Sequence, residues 1–130
     1  MNADSEKIES LNVFGTPLLT CSLNPMTGFY RDGCCATGPQ DVGTHTVCAQ
    51  VTQEFLAYSR SRGNDLMTPR PEWDFPRLHD GDFWCFCASR WREALAAGVA
   101  PKLRLESCHQ KTLEYVPMEV LLKYAIKVLD

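Results

Sequence analysis

The chain has 130 residues, 45% of them hydrophobic, with a formal net charge of −3 and a pI near 5.6. That length is one domain's, and such a domain buries enough surface to fold without a disulfide or metal. The acidic balance argues against a general nucleic-acid binder, which needs a basic face to displace counterions, and no apolar run approaches the ~20 residues of a membrane span.

Residues 1–10 are polar and read as a frayed tail ahead of a single globular domain, 11–130. They have neither the basic start nor the apolar run of a signal peptide, so a cytoplasmic protein is expected. In that compartment the seven cysteines should be mostly thiols, metal ligands or catalytic groups rather than a disulfide framework.

Leu11 to Gln40 is dense in turn formers (Asn24-Pro25, Asp32-Gly33, Gly38-Pro39), yet apolar residues interleave them. A long, ordered N-terminal loop pinned by its aromatics follows. The β-branched pairs of His45–Val51, with Gly43 before them, predict the first strand. Thr52 is placed to cap a helix over 53–62, which Gly63 ends, with Phe55, Leu56 and Tyr58 facing inward. Pro69, Pro71 and Pro76 make 64–80 a loop, because neither helix nor sheet tolerates that density of proline.

Asp82–Ala88 predicts a second strand, Ser89 a cap for the helix 90–97, and Lys102–Glu106 a third strand. Ser107 with Gln110 reads as a capping box for a short helix. Pro117 then starts a last helix running to about Leu129. Strands that alternate with helices imply crossovers: an α/β or α+β fold with a small, mainly parallel sheet.

Several long runs resemble one family. They are N-V-F-G-T-P-L at 12–18, G-F-Y-R-D-G-C-C at 28–35, T-G-P-Q-D-V-G-T-H-T-V-C-A at 37–49, R-G-N-D-L at 62–66, G-D-F-W-C-F-C-A-S-R-W at 81–91 and A-G-V-A-P at 97–101. Together they make the chain similar to a bacterial domain of unknown function, DUF2237. The chain departs from that pattern at Cys108, where the family carries threonine, and at Arg77-Leu78, where it reads Gly-Leu. Cys108 therefore stands outside any family-wide chemistry. The resemblance implies no activity and no cofactor.

Three groupings could carry chemistry. Cys85 and Cys87 share a strand face roughly 6.5–7 Å apart, too far for a disulfide between them and suited to two thiolates on one zinc ion. Cys48 and His45 would complete a ligand set only if a turn or bulge at His45 brought them round. The plain alternative is that Cys48, Cys85 and Cys87 are core residues.

Cys34 and Cys35 form the second grouping, adjacent in a loop beside Arg31, whose cation would favour a thiolate. His45 or His109 could serve as base. In the third, strand ends deliver Arg90 and Arg92 beside Arg31, Asp32 and His109, and helix N-termini add N–H donors for an anion. Asp32, Asp41, Asn64 and Asp65 read first as loop-holding groups, and Trp84 and Trp91 as core.

The expected function divides three ways. One is a ligand-binding or regulatory domain with a Cys/His/Arg-lined pocket for a metal, a small anion or another small molecule. The second is a cysteine-dependent enzyme or thiol redox protein using Cys34 or Cys35 with a histidine. The third is a scaffold that binds another protein.

Overall fold

A computed structural model describes residues 10–73 and 75–126. The remaining tail, 1–9, and the far end of the expected last helix, including Leu129, lie outside them. Three strands, β1 (His45–Gln50), β2 (Phe83–Cys87) and β3 (Lys102–Leu103), form one sheet in the order β2-β1-β3. Among the described residues three α-helices accompany it: α1 (Gln53–Ser61), α2 (Ala88–Ala96) and α3 (Met118–Lys123).

The sheet is antiparallel, which corrects the expectation of a mainly parallel one and makes the fold α+β. β1 runs opposite to both neighbours. Residues 51–82 leave the end of β1 and return to that same end. The Gly81 N–H donates to the Val51 carbonyl and the Val51 N–H to the Asp82 carbonyl, each at 2.8 Å. A chain that comes back to the edge it left can only pair antiparallel. One crossover survives: β2 and β3 run alike and are joined through α2, but β1 lies between them.

Helix α1 forms where its local chemistry requires. The Thr52 hydroxyl accepts from the Phe55 N–H at 3.0 Å, and Gly63 takes φ +89° just beyond the end. Phe55 and Leu56 are buried, and Phe55 meets Phe86 of β2 edge to face. Helix α2 starts without a loop, with Cys87 itself at the cap position and its side chain making no cap bond. Ser89, expected as that cap, is already inside the helix. Trp91 of α2 is fully buried and donates its indole N–H to the Pro101 carbonyl at 3.0 Å.

β3 is shorter than expected because the chain tightens at once into 3₁₀ turns, Leu105–Ser107 and Gln110–Glu114. His109, not Ser107, caps the second turn, its Nδ1 accepting from the Lys111 N–H at 3.0 Å. The Ser107 hydroxyl instead donates to the Thr20 carbonyl of the N-terminal segment at 2.9 Å. α3 ends at Lys123 because the following residues join β3. Leu103 and Ile126 exchange with that edge through Leu103 N–H to Tyr124 carbonyl and Ile126 N–H to Leu103 carbonyl, both at 2.8 Å.

The N-terminal segment is an ordered layer over the sheet, as its interleaved apolar residues require. Buried Asn12 holds its first turn: Oδ1 accepts from the Phe14 and Thr16 N–H groups and the Thr16 hydroxyl, and Nδ2 donates to the Pro17 and Glu106 carbonyls. Two disulfides, Cys21–Cys48 and Cys35–Cys85, staple the segment to β1 and β2. Cys48 and Cys85 are cross-strand register partners, so the two staples stand side by side. Four of the seven cysteines are thus bonded in pairs, contrary to the expectation of thiols.

Candidate functional site

The register of β1 on β2 slips between His45 and Val47, a β-bulge at Thr46. A bulge re-aims the side chain beside it. Here it sets His45 directly opposite Cys87, and the His45 Nε2 lies 3.3 Å from the Cys87 Sγ. On the other side of the ring, His45 Nδ1 lies 2.6 Å from Asp41 Oδ1. Asp41 is 4% exposed. Its second oxygen accepts from the His45 N–H at 2.8 Å and the Thr37 hydroxyl at 2.9 Å, so the carboxylate is fixed before it orients the ring.

The three side chains form a line, Cys87–His45–Asp41, with the thiol at the strand-to-helix junction. The hydrogen bond to Cys87 pushes the His45 pKa up to about 9; burial opposes it, and the charges of Cys87 and Asp41 with the bond to Asp41 add to the rise. Gly43 lets the pair close. A Cβ there would come 2.7 Å from the ring carbon Cε1 and 3.1 Å from the Cys87 sulfur, inside ordinary contact distance.

His45 also faces a cleft of about 540 Å³. Phe29 and Trp73 with Phe75 and Trp84 supply aromatic walls, and Arg31 and Arg70 supply charge. Phe29 stacks on the His45 ring at 6.2 Å between centroids. Cys87 does not line the cleft, but His45, whose Nε2 touches its sulfur, does. Arg31 lies over Trp84 at 5.2 Å, and its guanidinium donates to the Gly28 and Trp73 carbonyls at 2.7 and 3.1 Å. Its backbone sits at φ +55°, a conformation non-glycine residues rarely hold.

The expected groupings are assembled differently. Of the metal set, His45 and Cys87 meet, while Cys48 and Cys85 are bonded to Cys21 and Cys35. Among the described residues, the sulfurs of Cys21, Cys35 and Cys85 lie within 4.8 Å of one another, close enough to hold a metal, but they belong to the two disulfides. Cys35 is fully buried and bonded. Cys34, half-buried, donates its N–H to Asp32 Oδ1 at 3.0 Å. His109 is a turn cap, and burial with nearby Lys111 lowers its pKa.

The arginines of the anion grouping are dispersed. Arg90 donates to the Arg62 carbonyl and to Glu93, while Arg92 lies over the Tyr115 ring at 5.7 Å. Antiparallel pairing puts the ends of β1 and β2 at opposite edges, which separates groups that a parallel sheet would gather.

Asp41 is the residue that sequence reasoning assigns only to loop-holding. Its signal is its position four residues before His45, which places a carboxylate within reach of the ring once the chain turns. Cys108 is buried against β1, its sulfur 3.3 Å from the Cys48 N–H, and burial pushes its thiol up to about 12.

Among the described residues no helix is long and apolar enough to cross a membrane. No curated protein matches the chain. Residues 11–125 match a family described as an uncharacterized protein conserved in bacteria, DUF2237, and the chain belongs to that family.

Proposed function

We propose that the protein is a cysteine-dependent enzyme in which Cys87 is the nucleophile, His45 carries the proton and Asp41 orients the ring. The observation behind this reading is the line of contacts, 3.3 Å from sulfur to Nε2 and 2.6 Å from Nδ1 to carboxylate. The roles follow from the chemistry of nucleophile, base and orienting group. The Cys87 proton passes to His45 Nε2, leaving a thiolate beside an imidazolium that Asp41 stabilises. The thiolate attacks an acyl carbon, the leaving group takes the proton from Nε2, and water releases the acid from the thioester. Cys87 at the start of α2 gains from the helix dipole, which favours negative charge there.

The test is alkylation of the folded protein by iodoacetamide, mapped by peptide mass spectrometry. Cys87 should react fastest, and Asp41→Asn or His45→Gln should slow it by about tenfold or more at pH 7. Cys108 should stay unmodified until the protein unfolds. A Cys87 rate equal to that of free cysteine, unchanged in both variants, would sink the reading.

The proximity of Cys21, Cys35 and Cys85 supports a second reading. With both disulfides reduced, these three residues offer thiolates around one point, the ligand type zinc takes in structural sites. Protein purified under reducing conditions would then contain one zinc per chain, and metal-free protein with four protected sulfurs would count against it.

A further inference from the structure

We propose that the cleft beside His45 binds a small aromatic carboxylate, its ring between the Trp73 and Trp84 walls and its charge toward Arg70. This goes beyond the enzyme reading by assigning a ligand class to the cleft, and it does not rest on any step at Cys87.

The walls argue for the flat, apolar part of the ligand. Four aromatic side chains, Phe29, Trp73, Phe75 and Trp84, line the cleft and suit a planar ring, and the cleft's volume falls in the range of small-molecule sites, ~300–1,000 Å³. The charges argue for the anion. Among the described residues, Arg31 and Arg70 face one carboxylate of the cleft lining, Asp65, already engaged by the Met67 N–H and the Thr68 hydroxyl at 2.9 and 2.7 Å, while the charge of His45 is met by Asp41 at 2.6 Å. The balance is positive in a chain whose formal net charge is −3, and a charged cleft in a low-dielectric wall concentrates the opposite ion.

The two arginines divide the work. Arg31 spends its guanidinium on two carbonyls and on Trp84, and holds a left-handed backbone to do so. It supplies fixed charge and builds the wall. Arg70 is exposed and lies over the Trp73 ring at 5.9 Å. Among the described residues no carboxylate makes an ion pair with it within 4 Å, so its donors are open to a ligand carboxylate.

Binding of 2-naphthoate and of its neutral amide, 2-naphthamide, would be measured by calorimetry on wild type, Cys87→Ala and Arg70→Ala. The acid should bind about tenfold more tightly than the amide, the increment a charge-assisted pair gives at a partly exposed site. Cys87→Ala should keep that preference and Arg70→Ala should remove it; Arg70 is exposed, so its loss leaves the fold intact. Equal affinities for acid and amide, no binding of either, or a preference that survives Arg70→Ala would each overturn the proposal. Binding that holds while Cys87 proves unreactive would sink the enzyme reading alone, and a reactive Cys87 with no naphthoate binding would sink this proposal alone.

Discussion

Arg77 holds φ +90°, and the family pattern that the chain resembles carries glycine there. A side chain in that region costs about 1–2 kcal/mol, which glycine avoids. Among the described residues, its side chain returns a bond from Arg77 Nε to the Leu78 carbonyl at 3.2 Å. Arg77→Gly should therefore stabilise the protein by about 1 kcal/mol, read as a rise in melting temperature of roughly 3–5 °C; an unchanged or lower temperature would contradict this. Cys108 gives the same lesson at the other departure. Its sulfur accepts from the Cys48 N–H and reaches the Cys48 carbonyl, a pair of partners that a threonine hydroxyl can also serve.

The histidines set two pH windows of opposite sign. His45 has its pKa raised from 6.5 to about 9, so its charge stabilises the fold fully below pH 6.5, and that contribution is lost as pH rises through about 9. His109 is lowered, so its contribution is present above its ordinary pKa and lost as pH falls. Urea midpoints measured across pH should decline on the alkaline side in wild type and decline less in His45→Gln.

Among the elements, the N-terminal segment depends most on covalent ties. Its two disulfides close loops of 27 and 50 residues, and chain-entropy reasoning gives each about 3.5–4 kcal/mol. Cys21→Ser should lower the unfolding free energy from denaturant titration by that order, and an unchanged midpoint would contradict the staple. Helix α1 was legible because its signals are local: a Thr52 cap, an inward Phe55 and a Gly63 stop within a dozen residues. The disulfides were not, because each joins a loop cysteine to a strand cysteine through pairing that only the folded sheet creates. The last helix was legible from Pro117, but its early end at Lys123 was not, since an apolar periodicity cannot show that the chain after Lys123 is taken up by the edge of β3.

At the scale of the whole molecule, one long-range fact decides both what was read and what was missed. Residues 51–82 return to the edge they left, so alternating strand and helix signals that fit a parallel sheet serve an antiparallel one. The same pairing dissolves the expected arginine grouping and builds the triad. The sequence places His45, Cys87 and Asp41 among its notable residues, and names a turn or bulge at His45 as the condition for a metal set with Cys48, but gives them other partners, because the register of β1 on β2 is a tertiary property. The product is an acidic protein with a basic, aromatic cleft whose lining includes the ring that touches the thiol.

The claim on which this rests is that Cys87 and His45 share a proton under the hold of Asp41. Titration of the His45 ring by NMR in wild type and Cys87→Ala reads it directly. The account predicts a midpoint near 9 in wild type and a clearly lower one without the sulfur; a midpoint near 6.5 in both proteins would contradict it.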